Sequence, residues 1–192
     1  MIKGVSDMSN ARLELVSPTE EYESQVMSYK AEMLENGDDF DGCAGLEKAD
    51  TYAEWIDHEE WLTKLYGKNH TPSEVYLAVR KSDGAGVGII DYRHPLSDFL
   101  FKFGGSIGYS VRPSERRKGY AKEMLGLILE KCREAEEEKV LLCCDKENEA
   151  SRKTIIGNGG VLENEVADTA GLTGDVNKSG NGVIQRYWIN LF

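Results

Sequence analysis

A mixed α/β domain built on a largely antiparallel sheet is the fold class that the sequence predicts, and three observations predict it. Strand-like and helix-like segments follow the order β-α-α-β-β-β-α-β-α-β-β. Hairpins therefore precede the single clear strand–helix–strand crossover, which excludes a doubly wound parallel sheet. The chain has 192 residues, the size of one compact domain. Hydrophobic residues make up 40% and aromatics 9%, enough to bury a core. The expectation is a flexible segment 1–10 followed by one domain over 11–192. Its sheet should hold about six or seven strands, with about four helices.

Residues 12–16, RLELV, alternate polar and apolar like a half-buried strand. Ser17-Pro18-Thr19-Glu20 then starts a helix that runs to about Glu35 and closes at Asn36-Gly37, where glycine takes the left-handed cap conformation. The loop DDFDGCAGL that follows is dense in acid and glycine. A second helix is expected over 50–66, because Tyr52, Trp55, Ile56, Trp61, Leu62 and Leu65 recur at helical spacing and form a core face. Strands at 74–81 and 87–93 flank Ser82-Asp83-Gly84 as a hairpin. A third apolar run covers 105–111. Over 116–137, Tyr120, Met124, Leu127, Ile128, Cys132 and Ala135 mark the face of a long helix lying on a sheet. VLLCC at 140–144 is continuously apolar, as a strand buried on both faces is. A short helix over 148–156 ends at Gly157-Asn158-Gly159-Gly160, and strands are expected at 161–166 and 183–191.

Against 34 Asp+Glu stand 23 Lys+Arg, a formal net charge of −11. That sign opposes nucleic acid and anionic membranes as partners and favours an amine-bearing small molecule or peptide. Cys43, Cys132, Cys143 and Cys144 form no CxxC or Cys/His cluster, so neither a disulfide scaffold nor a metal site is indicated. No apolar run reaches about 20 residues, and the opening MIKGVSDMSN lacks the apolar core of a signal peptide. Reduced thiols and no export signal lead to the expectation of a cytoplasmic protein.

The chemistry concentrates in Gly108-Tyr109-Ser110-Val111-Arg112-Pro113-Ser114-Glu115-Arg116-Arg117-Lys118-Gly119-Tyr120-Ala121, where a strand runs into a helix through a basic turn. The first turn of a helix has unpaired N–H groups and a partial positive charge, and so binds phosphate. Gly119 and Ala121 are small enough to let a diphosphate approach the backbone. Arg116, Arg117 and Lys118 are unfavourable at a helix start unless an anion is bound there.

This stretch resembles the GNAT superfamily of acetyl-CoA-dependent N-acyltransferases, whose signature Gln/Arg-x-x-Gly-x-Gly/Ala is met by Arg116-Arg117-Lys118-Gly119-Tyr120-Ala121 between a strand and a helix. Asn148-Glu149-Ala150-Ser151, after VLLCC and before Gly159-Gly160, fits the family's later asparagine. The resemblance spans about 75–190. It implies a single GNAT-type domain whose sheet splays at the cofactor site and which uses acetyl-CoA as co-substrate with no metal. The backbone of Tyr109, Ser110 and Val111 would bond the pantetheine arm like an added strand. Amides of Arg117, Lys118, Gly119, Tyr120, Ala121 and Lys122 would hold the diphosphate, with Arg116 adding charge, and Asn148 would contact the cofactor. A neutral primary amine would then attack the thioester directly in a ternary complex.

Where many relatives place a tyrosine acid this chain has Ile155, and where many place a glutamate base it has Cys143. Catalytic residues are therefore unassigned, with Asp91, His94 and Asp145 the nearest candidates for a base by strand position. His94 before Pro95 reads better as an ordinary turn residue, and Asp145 better as a helix-capping or loop carboxylate. The loss of both usual side chains motivates a second expectation, a silent acyl-CoA-binding sensor or interaction module. Cys143 and Cys144, adjacent on a strand, read as buried small hydrophobes rather than a nucleophile pair. Gly84-Ala85-Gly86-Val87-Gly88 leads into an extended run, which excludes a dinucleotide loop. Asp38, Asp39 and Asp41 lack calcium-loop spacing and read first as a solvated loop cluster; the resemblance, by which the acceptor binds between the two early helices, implies a second reading in which they attract an amine. The apolar end at 185–192 suggests a surface for a homodimer.

Overall fold

The computed structural model describes residues 11–64, 71–168 and 182–192. The expected flexible segment 1–10 and the last residues of the expected second helix, 65 and 66, lie outside the described residues. Among the described residues, seven strands form two antiparallel sheets. The larger takes β1 (Leu13–Val16), β2 (Ser73–Arg80), β3 (Ala85–Arg93) and β4 (Ile107–Val111) in the order β1-β2-β3-β4. The smaller takes β5 (Lys139–Asp145), β6 (Val161–Ala167) and β7 (Val183–Asn190) in the order β5-β7-β6. Four α-helices accompany them among the described residues: α1 (Glu23–Asn36), α2 (Tyr52–Thr63), α3 (Tyr120–Glu134) and α4 (Glu149–Gly157).

The β2–β3 hairpin supplies both faces of the larger sheet, because strand side chains alternate. Val75, Leu77, Val79 and Ile89 pack with Val26, Tyr29, Met33 and Trp55 of α1 and α2. On the opposite face, Leu13, Ala78, Val87 and Ile90 pack with Tyr120, Met124, Leu125, Ile128 and Leu129 of α3. Gly88 keeps α3 close, since a Cβ there would lie 2.9 Å from the Met124 side chain.

Helix ends follow local chemistry. Gly37 closes α1 with φ 67°, and the amides of Gly37 and Asp38 return to the carbonyls of Leu34 and Met33. Thr51 and Glu54 cap α2 reciprocally, each side chain accepting from the other's backbone amide. The long helix differs from expectation: α3 begins at Tyr120 rather than Arg116 and ends at Glu134. The reason is backbone sign. Arg117 at φ 63° and Gly119 at φ 84° are left-handed and cannot belong to a right-handed helix, and Glu136 at φ 60° stops the far end.

The two sheets touch where Ser106 N–H donates to Leu141 O at 2.6 Å and Gly105 bridges Leu142. Gly105 is required there, with φ 76° and no room for a Cβ, which would lie 2.6 Å from Leu141 O. Beyond this point β4 and β5 belong to separate sheets, so a cleft opens between them.

The reading of 185–192 as an outer face needs correction. β7 is the central strand of the smaller sheet, and Ile184, Tyr187 and Ile189 are spent on the chain's own core. Only the terminal Phe192, 84% exposed, remains apolar and open there, so this segment no longer supplies a reason for a homodimer.

Candidate functional site

The cleft between β4 and β5 closes where Ser106 meets Leu141 and widens towards the C-terminal ends of the two strands, from which β4 leads to the turn before α3 and β5 to α4. A short helical turn, Pro113–Glu115, leads from β4 into that turn. Arg116 N–H bonds Pro113 O, and Glu123 N–H bonds Gly119 O. Between them, the amides of Arg117, Lys118, Gly119, Tyr120, Ala121 and Lys122 donate to no acceptor among the described residues. The last three open α3 and lack partners by construction, and the left-handed residues at 117 and 119 expose the others. Six adjacent unpaired donors at the positive end of a 15-residue helix suit an anion with several oxygens, such as a diphosphate.

The cations of this turn are arranged differently from the sequence expectation. Arg116 turns away, with Nε donating to Val111 O at 3.0 Å and Nη2 paired to Asp38 at 2.8 Å. Lys118 pairs with Glu115 at 2.8 Å. Two of the three cations are thus neutralised within the chain, Arg116 by an acid of the loop after α1 and Lys118 by an acid of its own turn, and no bound anion is needed to explain their presence. Arg117 carries no such pairing among the described residues. Arg12, from the start of the larger sheet, donates to Lys118 O at 3.1 Å and pairs with Glu123, holding the turn in shape. Tyr120 is buried, its hydroxyl accepting from Arg80 at 3.1 Å.

On β4, Arg112 N–H bonds Val87 O and Arg93 N–H bonds Ser106 O. Backbone groups alternate along a strand, so the even-numbered residues face β3 while Tyr109 and Val111 face the cleft. The backbone of Ser110 is therefore turned inward. Its hydroxyl bonds Asp41 O and Tyr29 Oη, each at 2.7 Å, which fastens the loop after α1 to β4.

A cavity of about 320 Å³ fills the cleft and is lined by Tyr109, Cys143, Asp145, Asn148 and Ser151 together with Arg93. Asn148 caps α4, its Oδ1 accepting from Ser151 N–H at 3.0 Å. The Tyr109 hydroxyl lies 3.0 Å from Ser151 Oγ. Burial pushes the Tyr109 phenol above its ordinary value, an effect the Ser151 hydrogen bond only partly offsets. Burial likewise pushes Cys143 up to about 12 and Cys144 up to about 11, which keeps both as thiols and supports their reading as packed small hydrophobes.

A second cavity of about 600 Å³ adjoins the first, lined by Asp38, Asp39, Asp41, Glu47 and His58. Asp39, Asp41, Arg93 and Leu100 belong to both. Asp91 is 2% exposed and fully engaged, accepting from Gly108 N–H, Ser73 Oγ and Arg93 Nε, so it holds the fold rather than a proton in transit. His94 sits elsewhere, stacked on Tyr92 and 3.4 Å from Glu137. Asp145 does line the cleft and accepts from Glu147 N–H. Ile155, on the buried face of α4, is 0% exposed and packs into the core. The hydroxyl pair Tyr109–Ser151 and Arg93 escaped the sequence reading. Ser151, in the first turn of the helix capped by Asn148, carried a usable signal, whereas Arg93 carried none.

Among the described residues no group of three or more His, Cys, Asp or Glu is placed to hold a metal ion, and no helix is long and apolar enough to cross a membrane.

Comparison with known proteins adds family and fold. The family described as "Acetyltransferase (GNAT) domain" matches residues 12–161. No curated protein sequence matches the chain significantly. Among solved structures, Mycobacterium smegmatis RimJ, in complex with CoA-disulfide, superposes with a TM-score of 0.68 at 15% identity, over 93% of this chain and 81% of that one. The microcin C7 self-immunity acetyltransferase MccE, in complex with acetyl-CoA and AMP, gives 0.66 at 14%, over 94% and 93%. The Salmonella typhimurium acetyltransferase that modifies the N-terminal serine of ribosomal protein L7/L12 gives 0.65 at 14%, over 94% and 96%. At such identities these likenesses concern the fold.

Proposed function

Since the chain belongs to the GNAT acetyltransferase family, we propose that it transfers the acetyl group of acetyl-CoA directly to a primary amine in a ternary complex. The observation that carries this reading is the row of six open amides from Arg117 to Lys122, which fits a diphosphate. From that anchor, the edge of β4 offers the backbone of Tyr109 and the amide of Val111, whose carbonyl is held by Arg116, to an extended arm running along the cleft. Asn148 borders the same path. The co-substrate supplies an activated acyl carbon and a thiolate leaving group.

The chain's own part is to bind, orient and manage protons. The hydroxyls of Tyr109 and Ser151 line the cleft together and are placed to donate a hydrogen bond to the departing sulfur. This pair takes the place of the tyrosine that Ile155 cannot supply from the core. Asp39 and Asp41, common to both cavities, attract an ammonium and accept its proton directly or through water. The acceptor is an amine-bearing small molecule or a peptide N-terminus, the latter in keeping with the ribosomal-protein acetyltransferase among the structural neighbours.

Incubation of the purified protein with acetyl-CoA and a panel of amines and short peptides, following free thiol, tests the proposal. Thiol release that depends on the amine supports it. CoA binding by calorimetry without release across the panel would leave the silent binding module, and absence of CoA binding would remove both readings.

A further inference from the structure

Arg93 is a cation that the proposed chemistry does not use. It ends β3, is 20% exposed at its side chain, and lines both cavities where they meet. Only its Nε is engaged, donating to Asp91 Oδ2 at 2.7 Å. Asp91 is in turn fixed by Ser73 Oγ at 3.2 Å and Gly108 N–H at 2.9 Å. The guanidinium plane is therefore locked from behind, while Nη1 and Nη2 have no acceptor among the described residues. Gly108 makes room for this pose, since a Cβ there would lie 2.5 Å from Nη2. Burial alone would lower the Arg93 pKa, but its pairing with Asp91 outweighs that and the net shift is upward. The side chain thus stays charged at any working pH.

A planar donor pair with fixed orientation recognises oxygen: a carbonyl or a carboxylate. Resting on the acyl-transfer reading above, we infer that Arg93 determines acceptor specificity by donating through Nη1 and Nη2 to the carbonyl oxygen on the carbon attached to the amine-bearing carbon. The acceptor class is then an α-amino acyl compound, such as an amino acid amide or peptide N-terminus, rather than a polyamine or alkylamine. The geometry separates two tasks. The acids at the junction of the cavities attract the ammonium, and Arg93 fixes the neighbouring oxygen so that the nitrogen faces the cleft. An amine without that oxygen leaves a partly desolvated guanidinium unpaired, which penalises it.

The test compares L-alaninamide with isopropylamine, which differ at the carbon that bears the oxygen. Thiol release gives kcat/KM for the wild type, Arg93→Lys and Arg93→Ala. The wild type is expected to favour alaninamide, and both variants to lose about tenfold or more of that preference through the alaninamide KM. The isopropylamine constants and the CoA dissociation constant should stay within about threefold. Arg93→Lys keeps a charge beside Asp91 but not the planar fork, so it carries the test should Arg93→Ala fail to fold. A preference unchanged in Arg93→Lys, or lost equally for both amines, overturns the inference while leaving acyl transfer intact. A wild type that binds CoA and acetylates neither amine overturns it together with the reading it rests on.

Discussion

The Arg116 guanidinium lies 2.8 Å from the Asp38 carboxylate while its Nε donates to the Val111 carbonyl at 3.0 Å. One side chain thereby joins the turn before α3, the free edge of β4 and the loop after α1. The first cation of the basic run thus fastens the loop after α1, whose Asp38 lines the second cavity, rather than serving an anion. A half-exposed pair of this kind stabilises by only about 0–1 kcal/mol, so its value lies in position. Arg116→Ala is expected to raise the acceptor KM severalfold by releasing Asp38 and its loop. The CoA dissociation constant should change by less than about threefold. Steady-state kinetics with calorimetry checks this, and a large loss of CoA affinity at constant acceptor KM would show Arg116 touching the diphosphate instead.

Gly119 has the opposite character, because its backbone rather than a side chain is used. At φ 84° it adopts a conformation that costs other residues about 1–2 kcal/mol. A Cβ there meets nothing nearer than Arg12 Nη2 at 3.6 Å, so space is not the constraint. Gly119→Ala should weaken CoA binding by about tenfold, matching the strain converted at 1.4 kcal/mol per decade. Gly119→Glu adds a like charge beside the bound diphosphate and should weaken it further. Unchanged dissociation constants in both would sink the assignment of the diphosphate to this turn.

The Tyr109–Ser151 pair, 3.0 Å apart, predicts a kinetic signature. Tyr109→Phe and Ser151→Ala should each lower kcat by about tenfold to a hundredfold, with CoA affinity nearly unchanged. The double variant should cost little more than the worse single one, because the hydroxyls act as one unit. Since burial raises the phenol above its ordinary value, the Tyr109 hydroxyl stays protonated through neutral pH. No step in the kcat profile near pH 7 should disappear in Tyr109→Phe. Additive losses, or a pH step that vanishes with the phenol, would contradict the pairing.

Ile155→Tyr, which restores the side chain that many relatives carry, is expected to fail. Ile155 is fully buried, and a Cβ built on Gly160 would already lie 2.4 Å from its Cγ2. The larger ring should destabilise by about 1–3 kcal/mol through overpacking and bring no gain in kcat. Thermal melting and turnover decide, and a stable, faster variant would mean that this position faces the cleft.

Stability should fall in alkali. Burial pushes Cys43, Cys132 and Cys143 from their ordinary 9.0 up to about 12, and Cys144 up to about 11. The folded state holds these protons more tightly than the unfolded chain. Their contribution is complete below pH 9 and is lost as pH rises towards 11–12, with a slope of about 1.4 kcal/mol per pH unit for each thiol. Urea unfolding at pH 8 and pH 10.5 measures it. Equal midpoints would show that the thiols ionise freely in the native state.

Much of this architecture was legible in the chain because its signals are local. The hairpin turn at Gly84, the cap at Gly37 and the face of α3 each depend on neighbours a few residues away. Every expected strand and helix formed, with ends shifted by a few residues. The longest helix was extended too far because apolar periodicity says nothing of backbone sign, and Arg117 and Gly119 are left-handed. The run at 185–192 reads in sequence as a surface for a partner, because an apolar strand looks the same whether it covers a partner or its own core.

The sequence by itself determined the order of elements, the family resemblance and the turn at Gly119, since a glycine that follows a basic run at a helix start has few other uses. Tertiary structure decided which charges meet. Arg116 finds Asp38 from another element, Lys118 finds Glu115, Asp91 is saturated, and Arg93 keeps two donors unspent where two cavities join. Lys118 and Glu115 are three residues apart and so within reach of sequence spacing, but Arg116 and Asp38 are 78 apart, and a Coulomb attraction that depends on distance in space leaves no trace in such a spacing.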